Sequence, residues 1–339
     1  MAETTAERPI AIAGAGSIGC YVGGCLATSG KRVAFLARQR VADDLARNGL
    51  RVTSFAGLDR TVPPGGISVS TDPAMLADAG IILVTVKSRD TPEMAQLLAR
   101  HAAPDATIVS LQNGVGNVAV LREHLPGRNV VGGMVPFNVI GMGEGRYHRA
   151  TSGDIVLAGD AAGTAGALST ADLPFHASDE IENVMWGKLL LNLNNALNAL
   201  SDLPLRAQLA QRPWRRLLAD QMAEALRAYR AAGIRPVAAS PVPPWVTPWL
   251  LRLPDPLFKR VLGKMMDIDP KARTSMWQDL NQRRPTEIDY LQGAVLALAT
   301  KHGVAVPLTQ RIIDCVRQAE ASNGGPPGLS PEAVRGAEG

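Results

Sequence analysis

Apolar and polar positions change rhythm near the middle of the chain. Through the first half, short apolar runs at 10–13, 32–37, 67–70, 81–86, 107–111 and 130–134 alternate with amphipathic stretches. That alternation is the pattern of βαβ units, so a parallel sheet flanked by helices is predicted. Thr91-Pro92 and Asp72-Pro73 each set a proline at a helix start. Gly/Thr/Ser-rich segments over 141–166, with a strand at 154–157, close the sheet region, and a first domain of residues 1–178 is predicted. Beyond it the strand pattern stops. Segments 179–200, 213–232, 273–280 and 286–302 carry apolar residues at helical spacing and predict a mostly α-helical domain over 179–320. Residues 240–262, with six prolines, Trp245 and Trp249, read as a lid or an extended apolar loop. Residues 321–339 lack the apolar content to pack and are expected to be disordered.

Composition narrows the class. Of 339 residues, 46% are apolar, 4% aromatic and 19% charged, which suits a two-domain globular protein and excludes a disordered or collagen-like chain. The net charge of +4 is spread along the chain, so no nucleic-acid partner is predicted. Cys20, Cys25 and Cys315 lack CxxC spacing, and the histidines at 101, 124, 148, 176 and 302 are scattered, so neither a disulfide framework nor a metal site is predicted. The N-terminal residues lack the pattern of a signal peptide and no run of 18 apolar residues occurs, which predicts a cytoplasmic protein with no membrane span.

Gly14-Ala15-Gly16-Ser17-Ile18-Gly19 follows the first predicted strand and opens a helix, the context a dinucleotide fingerprint requires. Gly14 makes the tight turn, Gly16 admits a pyrophosphate, and Gly19 lets helix and strand close up. The second strand runs into Arg38 where an NAD site would carry a carboxylate for the ribose 2′-hydroxyl, so NADPH (NADP+) is the predicted cofactor. Lys87 and Gln112-Asn113-Gly114 stand at the carboxyl ends of later strands, beside the crevice where such sheets bind ligands. Taken singly, each also reads as a surface lysine or a plain turn.

In the helical half, Lys188, Asn192 and Asn195 recur at i, i+4 and i+7, a polar stripe on an otherwise apolar helix. Burying such groups is costly without partners, so the stripe is read as a site for an anionic, oxygen-rich substrate, with a buried polar network as the alternative. Ser275, Asp279, Glu287 and Asp289 follow in a second polar segment. Thr286 in a capping position would set Glu287 in a first helical turn, where a carboxylate is favoured for electrostatic reasons alone.

The order and spacing of GAGSIG, the VTVK strand, QNG, the GKLLLN helix and SMWQDL with RPTEIDY resemble the ketopantoate reductase family over about residues 10–320. The resemblance implies an N-terminal Rossmann-like doubly wound parallel sheet followed by a mostly α-helical C-terminal domain. It also implies NADPH-dependent reduction of 2-ketopantoate to D-pantoate in the cleft between them, on the route to pantothenate and coenzyme A. By position, Lys188 matches the family's catalytic lysine and Glu287 its active-site glutamate. Asn113, Asn192 and Ser275 match residues that hold substrate, Lys87 a lysine near nicotinamide and substrate, and Arg38 the 2′-phosphate contact. Ala196 and Ala272 stand where the family often carries substrate-binding asparagines, and Asn195 or Asn194 is left to replace them. The predicted partner is a small 2-oxo acid, with a homodimer as an assembly the sequence leaves open. Another 2-oxo acid, β-hydroxyacid dehydrogenase chemistry and a non-catalytic NADPH sensor are the competing readings.

Overall fold

Successive residues of a strand point to opposite faces, and in the first strand both faces are covered. Ile10 and Ile12 pack with Tyr21, Val22 and Phe35 in one apolar cluster, while Ala11 and Ala13 pack with Leu76, Ala95 and Leu98 in another. The same division separates Ile81 and Leu83 from Ile82 and Val84. A strand apolar on both faces belongs inside a sheet with helices on each side. The structure, a computed structural model, describes residues 8–238, 242–262 and 272–336. The chain divides into two compact units, the first ending at Glu182 and the second beginning at Asn183.

The first unit contains β1 (Ile10–Ala13), β2 (Val33–Leu36), β3 (Leu50–Ser54), β4 (Asp59–Val62), β5 (Ser68–Ser70), β6 (Ile81–Val84), β7 (Thr107–Ser110), β8 (Val130–Met134), β9 (Val139–Gly143), β10 (Arg146–Arg149), β11 (Ile155–Ala158) and β12 (Phe175–Ser178). Its helices are α1 (Ser17–Thr28), α2 (Gln39–Asn48), α3 (Thr91–His101), α4 (Asn117–His124) and α5 (Ala162–Leu168). The main sheet has the order β12-β11-β8-β7-β6-β1-β2-β5 and is parallel except where β11 meets β8. β1 lies between β2 and β6, the reversal of strand order at which such sheets open a ligand crevice beyond the strands' carboxyl ends. The predicted strands are present. A second sheet, β4-β3-β10-β9, was not predicted. Leu50, Val52 and Val62 of it join the apolar cluster of α1. Burial pushes the thiols of Cys20 and Cys25 up to about 12, as expected for packed, unreactive cysteines.

The second unit is helical: α6 (Ile181–Asn192), which starts just before it, α7 (Asn194–Ser201), α8 (Leu205–Ala210), α9 (Arg212–Ala231), α10 (Thr247–Leu251), α11 (Asp255–Leu262), α12 (Ser275–Asn281), α13 (Ile288–Lys301), α14 (Pro307–Ser322) and α15 (Pro331–Arg335). None of the described helices is long and apolar enough to cross a membrane. Three expectations are corrected. The predicted helix over 179–200 is interrupted at Leu193, whose carbonyl accepts a bond from Gln292 Nε2 at 2.9 Å; a side chain inserted at a helix turn is a known cause of such breaks. The described part of the proline- and tryptophan-rich segment forms α10 and α11 instead of an extended loop. The wholly buried Arg215 of α9 holds it, bonding Leu251 O, Leu253 O and Asp255 Oδ1 and lying 4.0 Å over the Phe258 ring. Ser240 and Pro241 lie outside the described residues. The tail expected to be disordered is packed as far as residue 336: Ser330 caps α15, Val334 is fully buried, and Arg335 pairs with Asp220 at 2.6 Å. One well-placed valine, one cap and one ion pair dock a tail whose mean composition is polar.

Candidate active site

At the carboxyl end of β1, Gly14 has φ +109°, a conformation that an L side chain adopts only with strain. A Cβ there would also fall 2.6 Å from Val86 Cγ1. A Cβ on Gly19 would strike Gly14 O and lie 2.5 Å from Thr85 Oγ1, so the start of α1 is drawn hard against β1 and the chain following β6. Thr85 Oγ1 donates to Gly14 O at 2.6 Å and ties the turn to that chain. Gly16 is different. It is exposed, and a Cβ there would have its nearest neighbour 4.0 Å away. Gly16 is also the N-cap of α1, with no side-chain cap bond and no acidic residue in the first turn. Backbone N–H groups and the positive end of the helix dipole therefore border an open space bare of side chains, which fits the pyrophosphate of a dinucleotide.

Arg38 directly follows the chain leaving β2 and is exposed. Its Nη2 donates to Asp90 Oδ2 at 3.2 Å, and the other oxygen of that carboxylate pairs with Arg89 Nε at 3.4 Å. Lys87 opens a short 3₁₀ turn, Ser88–Asp90, before α3. A buried polar network locks this turn to the QNG loop. Ser88 Oγ donates to Asn113 O (3.0 Å), Asn117 Nδ2 to Asn113 O (2.8 Å), and Thr91 Oγ1 to Asn117 Oδ1 (3.0 Å). Gln112 Nε2 donates to Thr91 Oγ1 (2.6 Å) and Val86 O (3.1 Å). With its backbone held in this way, Asn113 keeps its side chain exposed. Lys87 and Asn113 thus stand on one rigid rim with the glycine turn. The sequence reading named Lys87 and Asn113 but missed Ser88, Thr91 and Asn117, whose only trace was small polar residues flanking a helix start.

In the second unit, α6 carries Lys188 and Asn192, and Asn195 follows the break on α7. Gly187 precedes the lysine because the backbone of residue 237 crosses α6 there: Val237 N donates to Asn183 O at 3.0 Å, and a Cβ on Gly187 would strike Val237 O. Trp186 packs edge-on against Tyr229, ring centroids 4.9 Å apart, and fixes the helix from α9. Lys188 is partly buried in these apolar surroundings, and desolvation pushes its ammonium down from the ordinary 10.5 to about 8. Ser275 opens α12, whose Thr274 cap bonds α7 twice, its N–H to Asn198 Oδ1 (3.1 Å) and its Oγ1 to Asn195 O (3.2 Å). Ser275 and Asn195 therefore sit on directly linked turns. Glu287 is buried at the N-cap of α13, and Gln292 on the same helix reaches the Leu193 carbonyl beside Asn192. Thr286 accepts from Ile288 N (3.2 Å) while its own N–H donates to Glu320 Oε1 (2.6 Å), so α14 steadies the Glu287 turn.

The helical set of Lys188, Asn192, Asn195, Ser275 and Glu287 thus rests on α6, α7, α12 and α13, linked by bonds at the α6–α7 break. The nucleotide set belongs to the other unit. Asn194, the other candidate substitute, is buried and exchanges bonds with Gln208: its Oδ1 accepts from Gln208 Nε2 at 3.0 Å and its Nδ2 donates to Gln208 Oε1 at 3.4 Å. Ala196 is fully buried, and Ala272 O accepts from Leu205 N at 2.9 Å.

Comparison with known proteins follows the same division. Residues 10–161 match the family model for ketopantoate reductase PanE/ApbA, and residues 180–320 match that for its C-terminal part. A 2-dehydropantoate 2-reductase of Halobacterium salinarum is 33% identical over 327 residues, covering 92% of this chain and 98% of that protein. Among solved structures, a PanE/ApbA family ketopantoate reductase from Ralstonia eutropha superposes with a TM-score of 0.79 at 29% identity, over 93% of this chain and 99% of that one. A D-mandelate dehydrogenase solved with NADH and anilino(oxo)acetate shares the fold, with a TM-score of 0.78 at 22% identity over 93% of this chain and 99% of its own.

Proposed function

The chain belongs to the ketopantoate reductase family, NAD(P)-dependent oxidoreductases acting on 2-oxo acids, and from that premise we propose that it reduces 2-ketopantoate to D-pantoate with NADPH, in pantothenate and coenzyme A synthesis. The observation that carries the reading is Lys188, a partly buried lysine whose pKa burial lowers to about 8, on a helix bearing Asn192. Reducing a ketone adds a hydride to carbon and a proton to oxygen, and negative charge develops on that oxygen as the hydride arrives. A positioned ammonium near neutrality both stabilises that charge and donates the proton.

When bound, the nicotinamide supplies the hydride. Gly14, Ala15, Gly16, Ser17, Ile18 and Gly19 would hold the pyrophosphate, with Arg38 at the 2′-phosphate. Lys188 Nζ gives its proton to the 2-oxo oxygen and is left neutral, to be reprotonated from solvent. Glu287 orients the lysine and the new hydroxyl, while Asn113, Asn192, Asn195 and Ser275 hold the carbonyl and carboxylate, with Lys87 adding charge near the carboxylate. Catalysis by placement requires these groups to be held before substrate arrives, and the bonds from Thr274, Gln292 and Glu320 supply that support. Lys188→Ala is expected to abolish turnover while NADPH still binds; wild-type-like turnover in that variant would refute the assignment.

A second reading, reduction of another 2-oxo acid, is favoured by one feature. With alanine at 196 and 272 and Asn194 bonded to Gln208, Asn195 alone among the named substitutes offers a donor for a substrate hydroxyl. A substrate with fewer hydroxyls would be served as well.

A further inference from the structure

The NADPH assignment rests partly on a carboxylate missing from the end of β2, yet folding brings one there. Asp90, 52 residues beyond Arg38 in the chain, places its carboxylate 3.2 Å from Arg38 Nη2. β2 and β6 flank β1 on opposite sides, so this pair spans the strand that ends in the glycine turn. Asp90 is not a loose surface group. Its N–H donates to Lys87 O at 2.8 Å, the adjoining Thr91 is buried and anchored to Gln112 and Asn117, and the carboxylate is only 25% exposed against 83% for the Arg38 side chain. The carboxylate is the more buried and better anchored member of the pair and the guanidinium the more exposed one.

We propose that Asp90 is the residue that sets the choice between NADPH and NADH, its anchored carboxylate opposing a 2′-phosphate and competing with it for Arg38. The inference rests on the reading that Arg38 meets the 2′-phosphate. A ribose 2′-hydroxyl can donate to a carboxylate, whereas a phosphate near charge −2 cannot and is repelled by it. A bound 2′-phosphate therefore either shares Arg38 with Asp90 or draws it away, and Arg89, the second cation on that carboxylate at 3.4 Å, remains to neutralise it. The preference for NADPH is thereby narrowed and NADH remains a usable cofactor.

Asp90→Asn keeps the size, a hydrogen-bond acceptor for Arg38 and a residue suited to a helix start, and removes only the charge. Dissociation constants for NADPH and NADH, read from nicotinamide fluorescence at low and at 0.5 M salt, test the proposal in the wild type, Asp90→Asn and Arg38→Ala. One unit of charge near a dianion in water-like surroundings predicts about tenfold tighter NADPH binding in Asp90→Asn at low salt, with NADH unchanged or weaker. The gain should shrink at 0.5 M salt, which a change in packing would not do. Arg38→Ala should weaken NADPH and leave NADH in place. If it does so and Asp90→Asn leaves NADPH binding unchanged or weaker, Asp90 is not the determinant, while the phosphate reading stands. If Arg38→Ala leaves NADPH affinity unaltered, the phosphate reading fails and this inference with it.

Discussion

Raising the pH through the range of Lys188 is the perturbation with the clearest arithmetic. The apolar packing around α6 disfavours the charged ammonium and pushes its pKa down to about 8. In the proposed role only the protonated form could give a proton to the developing alkoxide, so reduction should decline as pH rises through that value. For a pKa near 8, about nine-tenths of the lysine is protonated at pH 7 and about one-tenth at pH 9, so kcat/KM should fall about tenfold between them. An ordinary lysine at 10.5 would lose only a few per cent over the same interval. The assay is the initial rate of NADPH oxidation, followed at the nicotinamide absorbance, with subsaturating 2-ketopantoate in buffers of constant ionic strength. Lys188→Arg supplies the control: its guanidinium stays charged throughout, so the residual rate should be lower but flat from pH 7 to pH 9. A flat wild-type profile, or the same tenfold fall in Lys188→Arg, would refute the assignment of the descending limb to this lysine.

Two further substitutions test the frame around the sites. Gly19→Ala forces a methyl against Gly14 O and Thr85 Oγ1 and should cost about 1–3 kcal/mol of stability. Its Tm should lack the upward shift that NADPH is expected to give the wild type, and an equal shift in both would show that the tight turn is dispensable. Arg215→Met removes the donor to four backbone carbonyls and the partner of the half-exposed Asp255, with an expected loss of about 1–3 kcal/mol, chiefly from the carbonyls left unpaired. Urea unfolding followed by tryptophan fluorescence should show a lowered midpoint while NADPH affinity is kept; an unaltered midpoint would mean that α10 and α11 dock without it.

The parallel sheet was legible because its central strands, β1, β6, β7 and β8, are buried on both faces and most strands are separated by helix-length segments, a pattern that survives without knowledge of partners. The glycine turn was legible because three glycines at fixed spacing answer three separate steric demands. The second sheet was not, since β4, reading Asp59–Val62, and β9, reading Val139–Gly143, are short, mostly exposed and set by their pairing with β3 and β10. The break at Leu193 was hidden because its cause, Gln292, lies 99 residues further along the chain. A separation of 52 residues likewise hides Asp90 from Arg38. Reading along β2 finds an arginine without an acid, whereas the fold supplies the acid from the turn after β6. The docked tail shows the limit of averaged composition, because a single buried valine such as Val334 outweighs the polar residues around it.

The most direct measurement is NADPH oxidation by the purified protein with 2-ketopantoate, set beside 2-oxo acids that lack its hydroxymethyl or gem-dimethyl groups. Rapid turnover of 2-ketopantoate, at a kcat/KM well above that of every truncated acid, is the predicted result. It would show that alanine at 196 and 272 is tolerated. Turnover confined to another acid of the panel, with 2-ketopantoate inert, would contradict the proposed substrate.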